Sequence, residues 1–381
     1  MADRALRVRW EGTQFVHHSL AIVNREICSR LLDRGVELSL RLYEPHRFEP
    51  DGDPRLEALA ARFEAPLSGP ADVEVRHRWP PRFGAATEGR LVLIQPWEFG
   101  AIPAAWLTPL RDEVDEVWVP TRYVRDCFQD SGADARRVRV IPNGVDTERF
   151  RPDVTPLPLA TERRHRLLFV GGTIGRKGVR GLLAAYRAAF GPQDDVCLVI
   201  KDFGGDSVYA GKTAREEIRA AAADPAGPEI LHLDATISDE DMPRLFAACD
   251  VLVHPYLGEG FGLPIAEAMA MEMPVVVTGL GAALDFVDER VGWTVPATRR
   301  YLPEDRVGEL ETSGRPWVAE PDLEALGRLM REALASPGEC RRRGRAGRVR
   351  VLERMSWDVV ADRVRDRLEE LARPRRVPAL R

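Results

Sequence analysis

The chain has 381 residues, of which 44% are hydrophobic and 30% charged, with a formal net charge of -5. That length exceeds what one ordinary core holds, so two domains are expected, and the mild acidity excludes bulk nucleic-acid binding. Five scattered cysteines (Cys28, Cys127, Cys197, Cys249, Cys340) show no CxxC or metal-ligand spacing, which points to free thiols in a reducing cytosol.

At the start, "MADRALRVRW" lacks the apolar run of a signal peptide, and no later segment approaches the length of a membrane span. A cytoplasmic protein is expected. A first strand ends near "WEGTQF", and His17 and His18 follow at the start of a helix. Strands are then expected at "ELSLRLY" (37–43), "RLVLIQP" (90–96), "EVWVP" (116–120) and "VRVIPNG" (138–144). The stretch "VDTERFRPDVTPLPLATERRHR" (145–166), rich in Pro and charge, reads as a linker, placing a domain boundary near residue 155. Beyond it come "RLLFVGG" (166–172), "VCLVIKD" (196–202), "ILHLDA" (230–235), "DVLVHPY" (250–256) and "PVVVTG" (274–279). Most of these runs lack polar alternation, as parallel strands covered on both faces do. Helical periodicity fills the gaps, as in "GLLAAYRAAF" (181–190) and "DMPRLFAACD" (241–250). A closing helix, "MSWDVVADRVRDRLEELA" (355–372), has its start signed by Ser356. Strand alternating with helix predicts an α/β protein with two doubly wound lobes facing a central cleft.

The chemistry concentrates in "GEGFGLPIAEAMA" (258–270), where a glycine-rich turn after a strand runs into a helix. Pro264 suits the first helical position, and Glu267 would lie near the opening turn, where free N–H groups attract phosphate. Glu259 and Glu267 then flank a phosphate cradle as two hydroxyl-binding carboxylates. Glycines at 258, 260 and 262 let backbone N–H groups approach a ligand. In "FVGGTIGRKGV" (169–179), Arg176 and Lys177 precede a helix starting at Gly178, a setting suited to a diphosphate. Lys201 closes an apolar strand, which favours a buried anion as its partner. On the first lobe, His77, Trp97 and Glu98 are candidate cleft residues.

Two stretches mimic other nucleotide sites. "GGDSVYAGKT" (204–213) ends like a phosphate loop, but five residues separate Gly205 from Gly211 where that loop needs four. "GLGAALDFV" (279–287) lacks the third glycine of a dinucleotide fingerprint. The seven histidines form no HxH or HExxH pattern, so no zinc site is expected.

These residues resemble the retaining glycosyltransferases of family 4, which have the GT-B fold. "GEGFGLPIAEAMA" is similar to the family's Glu-x7-Glu motif, and "FVGGTIGRKG" to its phosphate-binding turn. "VRVIPNGVDTERFRP" (138–152) resembles the end of the family's first domain, and residues 237–279 follow its pattern nearly throughout. The likeness spans roughly residues 115–372, with only an outline before 115. It implies a first domain over 1–155, joined by a returning helix at 356–381, and a nucleotide-sugar domain over 156–355. It also implies that Glu267 binds ribose hydroxyls and Glu259 those of the donor sugar. Gly260, Phe261, Gly262 and Leu263 would hold sugar and diphosphate through their N–H groups, and Lys177 the diphosphate. Ile237 would meet the base, while Gly12 and Thr13 would close over the phosphates.

The sequence departs from the family at two places. The family's arginine after the phosphate-side strand is replaced around Gly172 or Thr173, and Arg176 or Lys201 could supply the charge. A first-lobe histidine gives way to Trp97 and Glu98. The implied reaction is retaining transfer of a sugar from a nucleotide diphosphate donor to a carbohydrate, lipid-linked or small-molecule acceptor. No metal or other cofactor is expected. The alternatives are a nucleotide-sugar-binding protein without transfer, or a nicotinamide-dependent oxidoreductase, which would need an intact GxGxxG near a strand. The Arg-rich stretches 339–355 and 372–381 add the expectation of a peripheral contact at the inner membrane face.

Overall fold

The computed structural model describes residues 4–50, 52–205, 209 and 211–373. The first lobe carries strands β1 (Arg7–Gly12), β2 (Glu37–Arg41), β3 (Val73–His77), β4 (Arg90–Ile94), β5 (Glu116–Val119) and β6 (Val138–Val140). They form one parallel sheet in the order β2-β1-β3-β4-β5-β6. The second lobe carries β7 (His165–Gly171), β8 (Val196–Asp202), β9 (Glu229–Leu233), β10 (Val251–His254), β11 (Val275–Thr278) and β12 (Gly292–Val295). Its parallel order is β12-β11-β10-β7-β8-β9. Winding reverses between β1 and β3 in one sheet and between β7 and β10 in the other. Ligands of open α/β sheets bind at such reversals, outside the carboxyl ends of the strands.

The apolar runs form the strands because each is buried on both faces. All seven residues of β8 are buried, as are all four of β10 and of β11. Helices α1 (Ser19–Asp33), α2 (Pro54–Ala60), α3 (Ala104–Asp112) and α4 (Arg122–Asp130) cover the first sheet. The second sheet is covered by α5 (Val179–Ala189), α6 (Arg215–Ala222), α7 (Asp241–Ala247), α8 (Leu263–Ala270), α9 (Leu323–Ala335) and α10 (Pro337–Arg354). The last helix, α11 (Trp357–Ala372), starts at Ser356, whose hydroxyl accepts from the Val359 N–H. It lays Trp357, Val360, Val364 and Leu368 into the core of the first sheet. Residues 374–381 of the expected returning helix lie outside the described residues. No helix or strand is formed between β6 and β7, and we keep the proposed domain boundary at 155 within that interval.

Strands β3 and β12 and a second architecture escape the sequence reading. Between β12 and α9, strands β13 (Ala297–Tyr301) and β16 (Trp317–Pro321) pair antiparallel, enclosing the small pair β14 (Arg306–Val307) and β15 (Leu310–Glu311). Their charged, Gly- and Pro-containing sequence has no apolar run to announce them. Among the described residues no helix is long and apolar enough to cross a membrane. The phosphate-loop mimic at 204–213 falls partly outside the described residues.

Candidate active site

The site forms where β7 and β10 end. A short turn of helix over Gly175–Lys177 follows β7. Gly178, at φ +75°, then starts α5 so close to Pro255 that a Cβ would overlap the Pro255 carbonyl. The Arg176 carbonyl accepts from Leu257 N (2.8 Å) and Gly258 N (3.0 Å), tying this turn to the one after β10. Lys177 and Glu259 are thereby brought together: Lys177 Nζ donates to Glu259 Oε2. Arg176 lies across the same carboxylate, Nη1 at 3.8 Å, and donates to Gly258 O at 3.1 Å. Its Nη2 is 3.5 Å from Glu98 Oε1, so this guanidinium spans the two lobes. Burial pushes the Glu259 carboxyl up, but Lys177 and then Arg176 outweigh it and hold the pKa at about 2. Burial lowers the pKa of Lys177, against the pull of Glu259.

Beyond Glu259, the chain passes Gly262 in the left-handed region (φ +96°) and enters α8 at Leu263. Pro264 is therefore the second helical residue, not the first, because Gly262 already serves as the cap. The Gly260 N–H is taken by its neighbour Glu259 Oε1 (3.2 Å), a correction to its expected part in the cradle. Phe261, Gly262 and Leu263 keep N–H groups without a partner among the described residues. Such groups at a helix start, beside two cations, favour an anion. The Phe261 ring packs inward against Phe286 at 5.0 Å. From the first lobe, Thr121 Oγ1 donates to Gly260 O at 3.0 Å.

Glu267 is the fifth residue of α8, four positions past Leu263, whose N–H is the last free one of the opening turn. Burial raises its carboxyl to about 7, with Arg149 acting the other way and Asp239 adding to the rise. Arg149 and Asp239 are 3.6 Å apart, and Ile237, two residues before Asp239, is packed on the second-lobe core. Lys201 is buried, but its Nζ donates to the Asp202 carbonyl rather than to a buried carboxylate. Arg176, not Lys201, is the cation beside Lys177 and Glu259. Gly172 lies under the Tyr209 ring, and Thr173 is held by Asp202 Oδ1 through its N–H (3.2 Å) and hydroxyl (3.0 Å).

The first-lobe candidates divide. Glu98 is in the cleft. Trp97 is not: it is 2% exposed, packs against Trp106 at 5.4 Å and donates from its indole to Ala101 O. Its large apolar ring is worth more to the core than to a wet cleft. His77 is also buried, and its Nδ1 donates to Asn24 Oδ1 at 2.8 Å. Burial first, then the His18 charge, lowers its pKa to about 3, so the ring is neutral. Gly12 lies against Asn24 and the His77 carbonyl at the reversal of the first sheet, and the Thr13 hydroxyl donates to Glu44. His18 caps α1 by accepting from the Ala21 N–H.

Sequence reasoning missed His254, Arg149, Tyr209 and Thr121, which carry no motif of their own. His254 is fully buried at the end of β10, stacked on Phe169 at 5.3 Å, and neither ring nitrogen has a partner among the described residues. Among the described residues no three His, Cys, Asp or Glu side chains gather as metal ligands.

The chain is similar in sequence and in fold to known proteins. A family model described as "Glycosyl transferases group 1" matches residues 164–302, and "Glycosyltransferase Family 4" matches residues 56–149. A solved glycosyltransferase from Rickettsia africae superimposes with a TM-score of 0.69 over 97% of this chain and 99% of its own, at 14% identity. The chain has the two-domain, Rossmann-like GT-B fold. Two curated relatives are similar to the chain in sequence. An MMP alpha-(1->4)-mannosyltransferase of Mycolicibacterium hassiacum is 29% identical over 80% of this chain and 63% of its own length. A GDP-mannose-dependent alpha-(1-6)-phosphatidylinositol monomannoside mannosyltransferase of Mycolicibacterium smegmatis is 26% identical over 72% and 67%. The chain thus spans just under two thirds of the first of these relatives.

Proposed function

We propose that this GT-B protein transfers a sugar from a nucleotide diphosphate donor to an acceptor hydroxyl, with retention at the anomeric carbon. The observation that carries the reading is the half-buried Lys177–Glu259 pair, with Arg176 beside it and, next in the chain, three N–H groups without a partner among the described residues. Glu259 keeps both cations charged in a dry site until the diphosphate arrives. Lys177, Arg176 and the N–H groups of Phe261, Gly262 and Leu263 then receive the charge that grows on the departing diphosphate. Glu259 is left to accept from hydroxyls of the sugar, and Glu267 to bond the ribose diol, accepting both hydroxyls when it is ionised. The acceptor proton passes to the leaving phosphate oxygen, so no protein nucleophile is needed. These fixed charges do the work that a metal does in other transferases, and activity without a metal is part of the proposal.

A nucleotide-sugar donor is supported by the mannosyltransferase relatives, one of them named for its GDP-mannose dependence. Carbohydrate, lipid-linked or small-molecule acceptors, a cytoplasmic location and contact with a membrane surface belong to the same proposal. The test is a panel of nucleotide sugars, GDP-mannose and UDP-glucose included, scored for protection against heat and for hydrolysis in EDTA. At least one donor should stabilise the protein and be slowly hydrolysed. Stabilisation without any hydrolysis or transfer would make it a binding protein. Turnover only with Mg²⁺ or Mn²⁺ would overturn the metal-free part.

A further inference from the structure

A cavity lies between the lobes, lined on one side by Gly100 and Ala101 of the loop after Glu98. It is open to solvent on one side and has a volume of about 610 Å³. That falls within the range of sites for small ligands. The first lobe supplies its wall from Gly100 and α4, and the second from the 280–285 turn and the β13–β16 pair. The seam beside it is firm. Trp317 N donates to Phe99 O (3.0 Å) and Ser313 N to Ile102 O (2.9 Å), while the Trp317 ring packs on Tyr123 at 5.7 Å.

Strand alternation decides which side chains of β13 enter. Arg299 and Tyr301 face the cavity, whereas Arg300 turns away to pair with Glu320 at 3.0 Å. Four arginines and three aspartates line the space. Arg122 is paired with Asp285 (3.5 Å) and Arg125 with Asp126 (2.8 Å). Arg299 and Arg315 have no carboxylate partner among the described residues. Arg299 rests on the Trp317 ring at 4.4 Å, and Arg315 is anchored only through Nε to Leu302 O at 3.0 Å. Beside them Tyr301 leaves 52% of its surface open. An acidic protein that holds two unpaired guanidiniums next to an open aromatic ring presents a site for a ring that carries an anion.

We infer that this cavity binds a sugar ring bearing a phosphate or carboxylate, the ring on Tyr301 and the anion between Arg299 and Arg315. Because its walls come from both lobes, the ligand holds them together at the Trp317 seam. The chemistry fits two sources, the charged end of an acceptor or a separate effector. Only the first rests on the transferase reading.

Calorimetry on the full chain with mannose 6-phosphate and with glucuronate, without donor, tests the site, with methyl mannoside as the neutral control. At least one anionic sugar should bind, the neutral one more weakly, and the double variant Arg299→Ala/Arg315→Ala should lose at least tenfold in affinity. Its melting temperature and its nucleotide affinity, measured alongside, should stay at those of the parent. No binding by either anionic sugar, equal binding of the neutral one, or an unchanged double variant overturns the inference. Incubating the bound sugar with nucleotide sugars separates the sources: a glycosylated product marks an acceptor, and a changed rate without consumption marks an effector. Should no nucleotide sugar bind at all, the transferase reading fails while the binding result stands by itself.

Discussion

Glu259 and Glu267 share one short motif yet have opposite electrostatics. The Glu259 pKa, near 2, lies below the ordinary 4.5. Its pairing therefore adds stability that is full above about pH 4.5 and is lost as pH falls toward 2. Glu267 is raised to about 7, so the folded state favours its protonated form. The stability it adds is full below about 4.5 and lost as pH rises through 7. Glu267→Gln should accordingly melt above the parent at pH 8 and level with it at pH 4.5. Glu259→Gln leaves Lys177 and Arg176 facing no carboxylate of their own lobe and should cost about 3–5 kcal/mol at pH 7. That gap should narrow toward pH 3. Melting curves across pH for both variants check the signs. Under the proposed reaction Lys177 matters most when charge builds on the diphosphate, so Lys177→Ala should lower turnover by about two orders of magnitude. Single-turnover assays with a saturating donor would show it, and normal turnover would remove Lys177 from the mechanism.

Among the elements, α10 explains why an arginine-rich segment also contains glycines. Gly344 and Gly347 lie where α10 crosses α8, and a Cβ at 344 would overlap the Glu272 carbonyl. Several arginines of the helix turn inward as structural donors. Arg348 donates to Phe150 O at 3.2 Å, Arg350 to Phe286 O at 3.1 Å, and Arg343 lies over Trp293 at 4.1 Å. Fewer charges than the sequence suggests are left for a membrane surface. Flotation with anionic vesicles should show weak, salt-sensitive binding, and no binding at low salt would remove the membrane proposal. Gly344→Ala should push α10 off the helix that carries Glu267, at about 1–3 kcal/mol, since the clash is with backbone. Chemical denaturation measures this directly.

At the scale of the molecule, each lobe depends on a segment from elsewhere in the chain. Helix α11 completes the first core, and Arg34 fastens it at 2.8 Å from Asp362. A chain ending at 355 should therefore lose the first lobe's cooperative unfolding transition, because Trp357, Val360, Val364 and Leu368 leave a bare sheet face. Two-wavelength denaturation of the truncated protein would reveal one transition rather than a full loss of structure. Besides the Trp317 seam and the Arg122–Asp285 pair, the lobes touch through Thr121 on Gly260 O and Arg176 near Glu98.

The sequence by itself determined the doubly wound class, most strands, the Ser356 start of α11 and the position of the Glu259–Glu267 motif. Each of these is a local matter of apolar runs, caps and glycine-rich turns. Through the likeness of both stretches to one family it also assigned Lys177 to the diphosphate and Glu259 to the donor sugar, while their contact comes from the structure. Only the tertiary structure decided which further cation faces that carboxylate: Arg176 lies in the turn after β7 that is tied to the turn carrying Glu259, whereas Lys201 stays in β8 with its Nζ on the Asp202 carbonyl. It likewise sent Trp97 and His77 into the core, where burial outweighs polarity, and brought Arg149 near Glu267 across 118 positions of sequence. The β13–β16 pair and its cavity were illegible for the same reason. Antiparallel pairing of charged strands follows from what they lean on, the first lobe's Phe99–Ile102 edge, and not from any periodicity of their own.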